Sequence, residues 1–319
     1  MIPPVFSDVQ LLPGGAAFVT EAGGESRTAL WRTDDLGRTF RPLLDRRLLG
    51  EKLRLYGTWF LDEQRGFVCG EDEDGDGALL ATRDGGLSWE PVTAVAEQAL
   101  ATPLTQVVFA DDRRGLVVAA GDALWRTTDA GAGWRPSTAP EMSAHGVFFL
   151  DGTGRGWVLS QNLDEGLRIL RTQHFATLDA GATFTPLGDV LDGESLRLDV
   201  AACAFWDERT GLLCGPEGLF LRTADGGRSW TRVDSGIPSD FNFVFPLGGS
   251  TAYVLGCEGR MMRTDDAGRT FRPIVTGVET ELHAAAFADE SRGFLVGEAG
   301  VALWTGDGGK SWNRSILAS

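Results

Sequence analysis

One eight-residue pattern, Thr-x-Asp-x-Gly-x-x-aromatic, occurs seven times in this chain and constrains its fold more than any other feature. The copies begin at Thr33, Thr82, Thr127, Thr177, Thr223, Thr264 and Thr305. Each carries its Asp two residues on (Asp35, Asp84, Asp129, Asp179, Asp225, Asp266, Asp307) and its Gly two further (Gly37, Gly86, Gly131, Gly181, Gly227, Gly268, Gly309). The closing aromatic is Trp89, Trp134, Trp230 and Trp312 in four copies and Phe40, Phe184 and Phe271 in three. Asp accepts hydrogen bonds from backbone N–H groups a few residues on, and Gly takes positive φ without cost, so each copy reads as a tight turn. Short apolar runs flank it, such as Ala-Leu-Trp-Arg before Thr127. The turn therefore joins two antiparallel strands, and the aromatic opens the second strand and folds back over the turn.

The seven aspartates are separated by 49, 45, 50, 46, 41 and 41 positions. A period in the forties made of short strands and turns is the signature of a β-propeller, one four-stranded blade per repeat. Upstream of most boxes lies Phe-x-Asp (Phe6/Asp8, Phe60/Asp62, Phe109/Asp111, Phe149/Asp151, Phe205/Asp207, Phe287/Asp289), with Phe245 lacking the Asp. A turn follows, often Arg-Gly, and then an apolar strand such as Gly-Phe-Leu-Val-Gly. These segments give strands a, b, c and d, with the box at the c–d turn. The expected fold is all-β: a single seven-bladed propeller domain over 1–319, with blades at about 1–45, 46–95, 96–139, 140–188, 189–235, 236–276 and 277–319. Four strands fit in both terminal blades, so the ends are expected to meet by blade-to-blade packing and not by exchange of a strand.

With 43% apolar residues in 319, the chain can bury a large core. Its net charge of −16 leaves no basic surplus to displace counterions from a nucleic acid. No apolar run approaches the roughly 18 residues of a membrane span. The start, Met-Ile-Pro-Pro-Val-Phe, shows no signal-peptide pattern, which implies a cytoplasmic protein if the chain is whole and a periplasmic or extracellular one if a leader was trimmed. Cys69, Cys203, Cys214 and Cys257 lack metal-ligand spacing; Cys203 and Cys214 flank the turn at Glu208, so they read as buried thiols or a cross-strand disulfide.

The box resembles the Asp-box, or bacterial neuraminidase repeat, of sialidases and related propellers. The longer unit, Phe-x-Asp, then Arg-Gly-Phe-Leu-Val-Gly-Glu-x-Gly, then Leu-x-Thr-x-Asp-Gly-Gly-x-x-Trp, is similar to the repeat of the photosystem II assembly and stability factors. That likeness covers nearly the whole chain. It implies a non-catalytic, monomeric scaffold binding a protein partner, in that family a subunit of a membrane complex. The alternative is a carbohydrate-active propeller, a sialidase-like hydrolase or a glycan binder. A sialidase needs a Tyr nucleophile and an arginine triad. Only Tyr56 and Tyr253 are present, and no Arg-Ile-Pro element stands near the N-terminus.

Two further sets of residues carry chemistry. Asp72, Asp74 and Asp76, in Asp-Glu-Asp-Gly-Asp-Gly between strands b and c of blade 2, match Asp-x-Asp-x-Asp-Gly and suit Ca²⁺, although Leu80 and Arg83 stand where late ligands belong; the alternative is a solvated hairpin tip. Aligned on Phe-x-Asp, the fourth residue before each Phe forms a ring: Ile2, Tyr56, Thr105, His145, Ala201, Phe241 and His283. His174 belongs to an enlarged b–c insertion at about 160–173 and is expected to face the same way. Repetition fixes the box end of every blade, so recognition falls to the d–a/b–c end. The partner surface is read as Arg46, Arg47, Arg54, Tyr56, His145, Phe241 and His283, with the arginines facing an anionic partner. Arg65 and Arg114 lie on the opposite turns.

Overall fold

The computed structural model describes residues 3–22, 28–45, 53–92, 102–121, 123–137, 143–150, 152–163, 169–190 and 200–317. The chain is a seven-bladed β-propeller with four antiparallel strands in each blade. Strands a to d are Phe6–Leu11, Ala17–Glu21, Thr28–Thr33 and Thr39–Asp45 in blade 1, and Arg54–Phe60, Gly66–Glu71, Gly77–Thr82 and Glu90–Pro91 in blade 2. Strand a recurs at Leu104–Phe109, Ser143–Phe149, Ala202–Phe205, Phe241–Gly248 and Leu282–Phe287. The last blade ends at Asn313–Arg314.

These sheets gather into two compact units. The first unit holds 1–107, 255–261 and 274–319, and so blades 1, 2 and 7; the second holds 108–254 and 262–273. In the first, a core of Phe18, Leu30, Leu55, Phe60 and Val68 lies between blades 1 and 2, with Phe18 and Phe60 stacked. Side chains of blade 1 bond the backbone of blade 2: Gln10 Nε2 donates to Phe60 O at 2.9 Å, and Asp8 Oδ2 accepts from Thr58 N at 3.2 Å. Burial holds the Asp8 carboxyl above its usual range despite the N–H groups of Thr58 and Val9. In the second unit, Trp157 stacks on Phe205 at 3.7 Å within a cluster that includes Leu213, Leu221 and Trp230.

The box turns are built alike in all seven blades, around the threonine. Its hydroxyl donates to the Asp Oδ1 at 2.8–2.9 Å and accepts the Gly N–H at 2.8–2.9 Å. The Asp reaches further than an Asx-turn would take it: Oδ1 accepts the N–H of the residue four positions on. In six copies that residue is Ser or Thr, and its hydroxyl also bonds Oδ2 at 2.6–2.8 Å; Gly133 replaces it in blade 3. The box Gly is left-handed throughout (φ 77–89°), and so is the residue before it, including Leu36 and Ala130. At Gly37 a Cβ would also lie 2.4 Å from Phe294, so only Gly fits. In blades 2, 3, 5 and 7 the box Trp meets the Phe of Phe-x-Asp edge-on, at 6.0–6.3 Å.

Phe-x-Asp is the a–b turn clamp. Asp62, Asp111 and Asp289 each accept two backbone N–H groups and the Nε of Arg65, Arg114 or Arg292. Blade 1 departs from the pattern. Asp8 lies within strand a, and Leu11 pairs with Ala17 as Phe60 pairs with Gly66. The sequence match at Phe6/Asp8 is therefore out of register by five residues.

Two other expectations change, and one open alternative is decided. The C-terminus does exchange a strand: Ile316–Leu317 pairs in parallel with Thr39 and Phe40, giving blade 1 a fifth strand. The insertion at 160–173 is a lengthening of strands Gly156–Leu163 and Ile169–Thr177, so His174 is a buried strand residue and not a loop residue. Cys203 and Cys214 are free thiols: Cys203 pairs with Leu213 and Ala202 with Cys214, which sets the two sulfurs on opposite faces of the sheet.

Candidate functional site

At the other end of four blades, the pairing of strands a and b slips by one residue. The slip falls between Phe6 and Asp8, Leu55 and Gly57, Ala144 and Gly146, and Leu282 and Ala284. The extra residue is Ser7, Tyr56, His145 or His283. A β-bulge re-aims the residue it inserts, so the predicted ring is in these blades a set of bulge residues. Three of its members match: Tyr56, His145 and His283. Of His145 the backbone alone is described.

Ile2, Arg46 and Arg47 lie outside the described residues. Phe241 does not belong to the set. Ala267 N bonds Ser250 O as Gly308 N bonds Ser291 O, which makes Pro246 the counterpart of Phe287 and Asn242 the counterpart of His283. Phe241 instead is buried, packed at 4.9 Å on Phe220. Alignment on Phe-x-Asp failed there because blade 6 lacks that Asp, and only the hydrogen-bond register reveals the offset.

Blade 2 surrounds its bulge with charge. Arg54 pairs with Glu71 across strands a and b, and its Nη1 lies 3.5 Å from Glu71 Oε1. Tyr56 sits between them. Burial raises its hydroxyl above the usual range, and a hydrogen bond to Glu71 raises it further, so the hydroxyl is a donor at neutral pH. The Arg54 side chain stays 67% exposed beside Glu71. The neighbouring tip is held by Asp72, whose Oδ1 accepts Asp74 N at 2.9 Å and Asp76 N at 3.0 Å, with Asp72 and Asp74 exposed.

Blade 7 places different residues at the same three positions. Glu281 stands where Arg54 stands, His283 where Tyr56 stands, and Glu298 where Glu71 stands; Glu298 N bonds Glu281 O at 3.0 Å. His283 Nδ1 is 2.7 Å from Phe6 O, and Nε2 is 3.7 Å from Glu281 Oε1. Among the described residues, Glu281, His283 and Glu298 are the group of three potential ligands whose donor atoms converge, all within 4.8 Å of one another.

His174 is apart from this end. It is buried edge-on against Trp230 at 4.9 Å, and neither ring nitrogen has a protein partner. Burial lowers its pKa to about 3.

The fold has known counterparts. YCF48 from Cyanidioschyzon merolae superposes with a TM-score of 0.73 at 18% identity, over 95% of this chain and 96% of that one. A structure of YCF48 bound to a D1 peptide gives 0.65 at 18% identity over 83% of each chain. A GH74 xyloglucanase from Xanthomonas campestris gives 0.72 at 15% identity, over 99% of this chain and 55% of the enzyme. These likenesses establish the fold. No protein-family model matches the chain, and no curated protein matches it. No helix among the described residues is long and apolar enough to cross a membrane.

Proposed function

We propose that this propeller is a non-catalytic scaffold that docks a peptide segment of a protein partner on the b–c/d–a ends of its blades. The observation that carries the reading is the divergence between Arg54–Tyr56–Glu71 and Glu281–His283–Glu298 at equivalent positions, beside turns at the opposite end that are nearly identical. A partner can tell one blade from another only where the blades differ. A solved propeller of the same fold, YCF48, has been captured with a D1 peptide, which supports a peptide as the kind of ligand.

The charge of the partner can be read from the residues at this end. An anionic partner would meet Arg54, which stays 67% exposed beside Glu71, together with Arg46 and Arg47. The described acids at this end outside the Arg54–Glu71 and Glu281–His283–Glu298 groups, Asp72, Glu73, Asp74 and Asp76, favour a segment bearing Lys or Arg, because complementary charge raises the rate of encounter. Calcium at Asp72, Asp74 and Asp76 would reduce that attraction, and titration with millimolar Ca²⁺ tests for it directly.

Site-specific photocrosslinking tests the reading. p-Benzoyl-phenylalanine in place of Tyr56 should yield a discrete adduct in the cells of origin, and the same probe at Leu87, exposed on a box turn, should not. Adducts from position 87 and none from 56 would place docking at the wrong end. Release of reducing sugar from a β-glucan by the purified chain would show instead an enzyme like the GH74 neighbour.

A further inference from the structure

The blade 7 cluster has the features of a metal site. A carbonyl oxygen can only accept, so the 2.7 Å contact between His283 and Phe6 O requires Nδ1 to carry the proton. In the neutral ring, the lone pair is then on Nε2, the nitrogen that faces Glu281. A metal-binding histidine characteristically donates its other N–H to a carbonyl or carboxylate, which fixes tautomer and ring orientation.

The two carboxylates are held in place by backbone. Glu298 N bonds Glu281 O, and a Cβ at Gly297 would lie 2.1 Å from that same oxygen, so this close approach needs glycine. The loop is pinned a second time where Gly300 N bonds Pro4 O at 2.6 Å. At the same two positions in blade 2, Arg54 stands beside Glu71. In blade 7, Glu281 replaces the arginine and leaves two carboxylates around one imidazole.

We propose that Glu281, His283 and Glu298 bind a divalent transition-metal ion of the Zn²⁺ class through Nε2 and one oxygen from each glutamate. Imidazole nitrogen and carboxylate oxygen are both zinc donors, three protein ligands leave the fourth position of a tetrahedral ion open, and the imidazole disfavours Ca²⁺ and Mg²⁺. Around a tetrahedral ion with bonds of about 2.0–2.1 Å, donor atoms lie about 3.3 Å apart. The present separations are 3.7 Å for one pair and within 4.8 Å for all, so binding draws the donors together by at most about 1.5 Å. The ion also favours the Nδ1–H tautomer that bonds Phe6 O. It therefore reinforces the seam between the last blade and the first strand, which is independent of any partner docked at this end.

The test is calorimetric titration of ZnCl₂ into the full chain after EDTA treatment. The wild type should take up one Zn²⁺ per chain, and saturating zinc should raise its Tm by a few degrees. Mg²⁺ should do neither. Glu298→Gln and Glu281→Gln, which keep size and backbone, should each weaken zinc binding at least tenfold, and Asp72→Asn should leave it unchanged. Co²⁺ in place of zinc should show visible d–d absorption that Glu298→Gln removes. A wild type that binds no zinc would overturn the proposal. So would a Glu298→Gln variant that binds zinc like the wild type, or loss of binding on Asp72→Asn. Because no partner is present, failure here leaves the docking reading untouched.

Discussion

The two ends of the blades solve different problems with the same strands. At the box end a buried threonine hydroxyl, an aspartate and a left-handed glycine form one closed hydrogen-bond circuit in every blade. At the bulge end the strand geometry repeats, but the side chains do not: Ser7, Tyr56 and His283 occupy one position in three blades of the first unit. Where the same hydrogen bonds are made within every turn, a change costs stability. Where the backbone is fixed and the side chain is free to vary, a change costs binding.

The largest effect expected at the box end is Trp230→Ala. This side chain is buried and meets both Phe205 and His174 edge-on, and its removal should cost about 3–5 kcal/mol in urea unfolding. Trp89 is only half-buried, so Trp89→Ala should cost clearly less; equal losses would mean that the boxes do not stabilise through burial.

Acid acts on the same neighbourhood. An exposed histidine charges near pH 6.5, whereas His174 stays neutral in the folded chain until about 3. Its contribution is whole above pH 6.5 and declines as pH falls toward 3, by about 3 kcal/mol at pH 4. His174→Phe should flatten that slope between pH 6.5 and 4. A slope unchanged in the variant would assign the loss to other groups.

Next comes the hub of the turn. Thr223→Val removes the acceptor of Gly227 N in a buried site and should cost about 2 kcal/mol. Asp225→Ala, on the exposed side of the same circuit, should cost about 1–2 kcal/mol. The reverse order would return the central role to the aspartate. The carboxylates set the low-pH limit as well. Asp84 and Asp307 are held down to about 2 by the hydroxyls and N–H groups of Ser88 and Ser311; at Asp266 burial opposes the shift, and Thr270 and Thr264 override it to the same value. Depressed acids stabilise above their ordinary range and lose that contribution as pH falls through about 2, so the last unfolding step belongs between pH 4 and 2.

The smallest stability effect belongs to the bulge end. Arg54→Ala with Glu71→Ala should change the unfolding midpoint by less than about 0.5 kcal/mol, because the pair is solvent-screened. The same double change should reduce crosslinking from position 56. Full crosslinking would remove this triad from the docking surface.

The repeat was legible because its chemistry is local. Seven threonines, aspartates and glycines at fixed spacing announce the turns, and the Ser or Thr before the aromatic in six copies was a readable sign of the second arm of the circuit. Register was less legible. Phe6-Ser-Asp8 imitates the a–b turn clamp, yet Asp8 serves the neighbouring blade. Phe241 was misaligned by one residue because Pro246 stands where the motif has Phe. The blade 7 cluster was hidden for another reason. Glu281 and His283 are close in sequence, but Glu298 comes from the turn after the next strand and the tautomer is set by Phe6, 277 residues away.

That same separation has a temporal consequence, set by the short parallel strand at the end of the chain. Ile316 N bonds Arg38 O and Ser315 Oγ bonds Gly37 O, so the outer edge of the first blade is completed by residues 278 positions further along the chain. Throughout synthesis strand Thr39–Asp45 presents an open edge, the kind of surface on which a second nascent chain can template itself. Blade 1, made before the other six, is completed only once residues 315–317 have emerged.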